Sequence, residues 1–245
     1  MISVTILVKD SQETLEKTLD SVKDFPEVIV FDTGSKDSTL EIAKKFPNVR
    51  IFTRSFKGFG PSHNEASSLA SHEWILSIDS DEVLSSELSQ EILSLPLDPN
   101  SVYILSRLNY FNGKHIKWCG GWYPDPVIRL YHRGKTRFTD DAVHEKIISN
   151  GLKTLELKGA LYHTPYRCIS DFLNKMQMYS TLFAEERPQQ SASIFKAILH
   201  AWFAFFKSYV LKRGFLGGKE GFIISAYNSH ATFYKYLKLM EKHQS

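Results

Sequence analysis

Residues 74–82, Trp-Ile-Leu-Ser-Ile-Asp-Ser-Asp-Glu, carry an apolar run straight into three carboxylates. Like charges this close repel, and removing them from water is expensive. A divalent cation relieves both costs, and a diphosphate brings its own need for that cation. The string therefore points to a metal–diphosphate site at the end of a β-strand. Asp81 is the better direct metal ligand. Asp79 falls to ribose or the metal shell, with Glu82 behind them. The competing reading is a solvated turn with helix-capping acids. Asp-x-Asp spacing is weak alone, and its weight here comes from the apolar strand before it and the third acid after it.

A second apolar run, Glu27–Phe31, ends at Asp32 in the string VIVFDTGSKDST. Asp32 either caps the Gly34 turn or accepts hydrogen bonds from the base of a bound nucleotide. Lys9 and Arg54 would help enclose that nucleotide. A third concentration of polar groups comprises Asp125, Arg129, His132, Arg133, Arg137, Asp140, Asp141, His144 and Glu145. Glu145 suits a general base for an acceptor hydroxyl, with Asp141 and Asp125 as competitors. His144 would orient a ligand or Glu145. Arg129 would pair with a diphosphate or with Glu145. His163 would touch metal or phosphate, or be a hydrogen-bonded, half-buried histidine. Trp118, Trp122 and Tyr123 either stack on sugar faces or fill a core.

Short apolar strands alternating with helices must position these groups. Strands are expected at Ile2–Val8, Glu27–Phe31, Val49–Thr53 and up to Asp79, with helices at Thr14–Val22, Thr39–Phe46 and Asn64–Ala70. Gly58-Phe59-Gly60-Pro61 reads as a loop. This order implies an α/β fold with a mostly parallel sheet, and right-handed crossovers would put Asp32 and Asp79 on one sheet edge. Ligands bind outside the carboxyl ends of such strands. After residue 165 the pattern becomes helical. The expected division is a catalytic domain, 1–165, and a helical region, 166–245, that associates with a membrane or forms a homodimer.

The 245 residues are 42% hydrophobic, enough for a sizeable core, with a formal net charge of +3. No basic stripe suggests nucleic acid. Two cysteines give no disulfide framework and no four-cysteine zinc set. The apolar run Val4–Val8 is too short for a signal peptide, so a cytoplasmic location is the expectation. Gly-x-Gly-x-x-Gly and Walker-type loops are missing from the sequence, which disfavours dinucleotide enzymes and P-loop hydrolases. A nucleotidyltransferase would usually carry a glycine-rich loop after the first strand. A non-catalytic sugar-nucleotide-binding protein would not need both acidic clusters. A glycosidase needs two carboxylates, but Asp-x-Asp at a sheet edge suits diphosphate better.

The strings VIVFDTGSKDST, GFGPSHNEA, WILSIDSDE, GGWYPDPVIRLY, VHEKI and KRGFLGGKEGF resemble family 2 glycosyltransferases of the GT-A fold. The nearest subgroup in appearance is the bacterial lipopolysaccharide core enzymes that add β-1,4-glucose to heptose. The resemblance implies a UDP-sugar donor, Mg²⁺ or Mn²⁺, inversion at the anomeric carbon and a lipid-linked oligosaccharide acceptor at the inner membrane. It implies Asp32 as the uracil-contacting acid, Asp79 as the first acid of Asp-x-Asp, Asp81 as metal ligand and Glu145 as acceptor-activating acid. Asn64 joins the nucleotide-sugar set, in His63-Asn64 where the family often has Lys-Asn. Trp118, Trp122, Tyr123, Asp125 and His144 form the acceptor set, and Asp141 stands beside Glu145. Val8-Lys9-Asp10-Ser11 departs from the family's Thr-Lys-Asn-Glu, and His144-Glu145 from its commoner Glu-Asp.

Overall fold

The computed structural model describes residues 1–141, 145–187 and 189–244. The chain forms two compact units, residues 1–107 with 126–163, and residues 108–125 with 164–245. Segment 108–125 belongs to the second unit, with the helices that follow residue 164.

The first unit begins β1 (Ile2–Val8), α1 (Leu15–Ser21), β2 (Glu27–Asp32), α2 (Thr39–Ala43), β3 (Val49–Thr53), α3 (Phe59–Ser68) and β4 (Trp74–Asp79). It continues through β5 (Glu82–Leu84), α4 (Ser86–Ser94) and β6 (Ser101–Phe111), whose last residues enter the second unit. In the second unit a short β7 (Lys114–His115) pairs with the end of β6. The sheet resumes with β8 (Pro126–His132) and β9 (Lys153–His163). The main strand order is β3-β2-β1-β4-β8-β6-β9-β5. Pairing is parallel from β3 through β4 and antiparallel at β4–β8, β8–β6 and β9–β5. Strands β1, β2 and β4 are buried on both faces because helices or loops cover both, as parallel strands require. Val4, Ile6, Leu76, Ile78 and Leu130 fill one layer, and Ile29, Ile75 and Tyr131 the other.

Helix α3 starts earlier than its sequence suggests. Gly58 takes φ 103° just before it, and Phe59-Gly60-Pro61 forms its first turn. Proline is tolerated there because the first amides of a helix have no intrahelical acceptor. Gly60 is required by packing: a Cβ on it would lie 2.0 Å from the Thr139 carbonyl oxygen.

The second unit holds α5 (Ile169–Glu186), α6 (Ile194–Phe206) and α7 (Gly218–Gln244). A five-residue π-turn, Lys207–Leu211, continues α6, and a 3-10 turn, Gly214–Gly217, leads into α7. Its core gathers Phe111, Ile116, Cys119, Trp122, Phe172 and Ile224.

Candidate functional site

Parallel register sets Asp32 beside Val8 and Asp79 beside Leu7, so two acidic strand ends flank β1 on one sheet edge. The loops beyond β1 and β2 are stitched together by short hydrogen bonds. Asp10 N–H donates to Ser35 Oγ (3.0 Å), Lys36 N–H to Asp10 Oδ1 (2.7 Å), and Ser11 N–H to Thr39 Oγ1 (2.7 Å). Asp32 is buried, and its Oδ1 accepts from Ser35 N–H at 2.9 Å. One carboxylate oxygen thus closes the Gly34 turn. Arg54 begins next to Asp32, with its N–H on the Asp32 carbonyl, but its guanidinium turns to Glu65 at 3.5 Å. Lys9 is exposed at the end of β1.

Behind the edge lies a compact charge cluster. Glu82 is fully buried, and its Oε2 accepts the Asp79 backbone N–H at 3.0 Å. Its Oε1 accepts from Arg129 Nη2 at 2.6 Å and Arg107 Nη1 at 2.9 Å. Arg129 Nη2 also donates to Asp79 Oδ2. Arg129 is therefore held by Asp79 and Glu82 and not by Glu145, one of the two partners expected for it. It also places the Asp79 carboxylate on an arginine. Burial opposes ionisation of Asp79, but the charge of Arg129 holds its carboxyl well below the usual range. Burial would likewise weaken the Arg129 cation, and Asp79 and Glu82 hold it protonated. The buried Arg129 Nε has no protein acceptor among the described residues.

Asp81 and His163 meet just beyond this cluster, Oδ2 to Nε2, at 3.5 Å. The pairing of β5 with β9 brings them together by setting Glu82 opposite His163. Among the described residues no three His, Cys, Asp or Glu side chains gather as a complete metal set. A carboxylate and an imidazole nonetheless fit a divalent ion whose other ligands are diphosphate oxygens and water.

Asp79, Arg107, Arg129, Phe138 and Glu145 line one cavity of about 490 Å³. Glu145 Oε1 lies 4.0 Å from Nε2 of buried His63, whose Nδ1 is 3.1 Å from Ser77 Oγ. His63 stacks on Phe138 at 4.5 Å. Burial lowers the His63 pKa to about 4 against the opposing pull of Asp79, so the ring is neutral near pH 7. His63 and Arg107 were not among the site residues expected from sequence. Their only signal was a polar side chain inside an otherwise packed element.

Asn64 is corrected by its contacts. Its Nδ2 donates to the Phe138 carbonyl (3.0 Å), and its Oδ1 accepts the Phe138 N–H (2.9 Å). Both ends of the amide thus hold backbone and are not offered to a nucleotide. Asp141 is exposed, and its carbonyl accepts the Gly60 N–H at 3.1 Å. His144 lies outside the described residues. In the second unit Trp122 is 8% exposed within the core, and Trp118 packs on the same cluster. This corrects the expected role of Trp122 as a sugar platform. Tyr123 is exposed, its ring edge-on to His115, and Asp125 Oδ2 accepts from Asn109 Nδ2 at 2.8 Å.

The family model described as glycosyl transferase family 2 matches residues 3–154. An uncharacterized glycosyltransferase of Rickettsia typhi is 28% identical over 98% of this chain and 87% of its own length. The lipopolysaccharide core biosynthesis glycosyltransferase LpsC of Rhizobium meliloti is 23% identical over 99% of this chain and 93% of its own. Among solved structures, a Pyrobaculum calidifontis mannosyltransferase in complex with GDP-Man and Mn²⁺ superposes with TM-score 0.55. That match covers 96% of this chain and 86% of the other at 17% identity, which speaks to the fold alone.

Proposed function

The chain belongs to glycosyl transferase family 2, and from that premise we propose that it moves a hexose, glucose by preference, from a UDP-sugar to a hydroxyl of a lipopolysaccharide core sugar. The observation that carries the reading is the single cavity lined by Asp79, Arg129, Arg107 and Glu145. The similarity to LpsC supports the acceptor class, and heptose as the acceptor sugar rests on the resemblance of the sequence strings alone. The acceptor is lipid-linked, met at the cytoplasmic face of the inner membrane.

In this reading Asp32 and the stitched loops after β1 and β2 receive the nucleoside. Asp81 and His163 would hold Mg²⁺ or Mn²⁺, which when bound would supply positive charge to offset that of a diphosphate. Arg129, fixed by two carboxylates, keeps Asp79 ionised and oriented. Glu145 takes the acceptor proton as the hydroxyl oxygen bonds the anomeric carbon and the bond from that carbon to the diphosphate breaks. A single displacement inverts the anomeric centre. Neutral His63, 4.0 Å from Glu145, lies beside it without neutralising it.

Initial transfer rates of Glu145→Gln are expected to fall by about 10²–10⁴-fold with donor affinity retained. Transfer within a factor of about three of the parent would reject Glu145 as the base. Product analysis with UDP-glucose and a heptose-containing core acceptor tests the substrates: release of pyrophosphate in place of UDP would overturn sugar transfer.

A further inference from the structure

The second unit carries a cavity of about 430 Å³ whose charged lining is entirely cationic. Lys207, Lys212 and Lys235 reach it, alongside Ser208, Asn228 and Thr232. Two local features converge these lysines. The π-turn after α6 donates the Lys212 N–H to the Lys207 carbonyl at 2.8 Å, an i→i+5 closure. With its wider turn, residues five apart come to one side. On α7, Asn228, Thr232 and Lys235 follow i, i+4, i+7 spacing and share a face.

No carboxylate among the described residues pairs with any of the three lysines. Arg187 adds to the imbalance, because its guanidinium and the Lys235 ammonium both lie against the Phe183 ring, at 4.5 and 5.2 Å. Burial, and then the Arg187 charge, lower the Lys235 pKa. An anion in the cavity would relieve that repulsion.

Helix α6 borders the same cavity through Ala204. Ala197 and Ala201 are buried on its inner side, and Ser229 Oγ of α7 donates to the Ala201 carbonyl at 2.8 Å. Its outer side leaves Ile194, Phe195, Ile198, Leu199, Trp202 and Phe203 between 50% and 72% exposed. An apolar strip this continuous marks an interaction surface. Between residues 187 and 219 the sequence has six Lys or Arg and no Asp or Glu. Lys196, His200 and Lys207 fall along one margin of the strip at 100° per residue.

Length and composition would let Ile194–Leu211 cross a bilayer. Packing argues otherwise: the small-residue side is engaged with the largely polar α7, and two lysines lie within the span. Apolar on one side and cationic along the margin is the pattern of a helix lying in the plane of a bilayer surface.

We propose that this unit docks on an anionic phospholipid surface, with the outer side of α6 in the headgroup–acyl boundary and one lipid phosphate in the Lys207–Lys212–Lys235 cavity. The inference is independent of sugar transfer, and its readout is binding. The full chain is floated with phosphatidylcholine vesicles, with or without 30% phosphatidylglycerol as a test composition, roughly one lipid in three (~30%). Binding to the anionic vesicles is expected to exceed binding to neutral ones at least about tenfold. It should weaken steeply as salt screens the surface. The combined Lys207→Gln, Lys212→Gln, Lys235→Gln variant should lose about a hundredfold in affinity, the scale of three lysines near the surface. Lys17→Gln, Lys23→Gln, Lys44→Gln, equal in charge but in the first unit, should bind as the parent does. Trp202→Ser with Phe203→Ser should also release the protein, and circular dichroism checks that each variant is folded.

Equal loss from both lysine sets would overturn the cavity, since net charge alone would then explain binding. Equal binding to neutral and anionic vesicles would overturn the phosphate. Binding of inorganic phosphate with no vesicle binding would assign the cavity to a soluble anion and overturn the lipid. A stable dimer of the parent that is lost in the Trp202→Ser, Phe203→Ser variant, together with no vesicle binding, would assign the strip to a second copy of the chain.

Discussion

At the scale of single residues, Glu82 organises the charge behind the sheet edge. It accepts from Arg129, from Arg107 and from the Asp79 backbone, and its own side chain is closed to water. A buried ion pair adds little over an apolar substitute, but removing one partner leaves the other charge uncompensated. Glu82→Gln keeps the shape and an acceptor for the Asp79 N–H while deleting the charge. It is expected to lower unfolding free energy by about 3–5 kcal/mol in urea titrations. A loss below about 1 kcal/mol would mean that water reaches the two arginines. The same cluster marks what could be read from sequence. Asp79 and Asp81 were visible because an apolar strand precedes them. That Arg129 belongs to Asp79 and Glu82 was not, because β8 inserts beside β4 from fifty residues away in sequence.

At the scale of elements, the parallel half of the sheet was the most legible part. Strands β1, β2 and β4 are short, largely apolar and separated by helices, so their order and shared acidic edge follow from period and handedness. Helix α3 was harder, since Gly-Phe-Gly-Pro carries loop chemistry and only its contacts make it helical. Its close approach to residues 139–141 carries the segment leading toward Glu145. Gly60→Ala forces a Cβ onto the Thr139 carbonyl, and Gly60 N–H already bonds the Asp141 carbonyl at 3.1 Å. Overpacking of this kind costs about 1–3 kcal/mol. We expect Gly60→Ala to lower transfer activity more than donor affinity, because the displaced segment precedes Glu145 while Asp32 and Asp81 lie elsewhere. Loss of UDP-sugar binding equal to the loss of turnover would sink that expectation. The aromatics of the second unit stayed ambiguous in sequence for a related reason. Trp122 has the composition of a sugar platform, and only packing shows that its ring closes a core. The three cavity lysines, one opening the π-turn, one just after it and one on α7, share no periodicity that a single stretch of sequence displays.

At the scale of the whole molecule, the first unit carries its acids at both ends of the parallel strands, for different purposes. At the far end from Asp32, Glu27 opens β2 and ties three strands together. Ser3 Oγ of β1 donates to it at 2.6 Å, Ser71 N–H and Oγ at 2.7 Å each, and Arg50 Nη1 of β3 at 2.5 Å. Burial favours its neutral form, but these donors prevail and bring the carboxyl from 4.5 to about 2. The sign of the pH dependence follows. Below about 4.5 the unfolded chain takes up a proton that the folded chain refuses until about pH 2. Stability from Glu27 is therefore complete above 4.5 and lost as pH falls through about 2. Glu27→Gln should be less stable than the parent at pH 7 by about 1.5–3 kcal/mol, the scale of hydrogen bonds to a charged group. The gap should narrow steadily between pH 4.5 and about 2, as the parent loses what the variant never had. Urea midpoints at pH 7, 5, 4 and 3, roughly evenly spaced (~1–2 pH steps), measure it directly. Parallel stability curves for parent and variant across that range would show that the carboxylate is not what joins the strands.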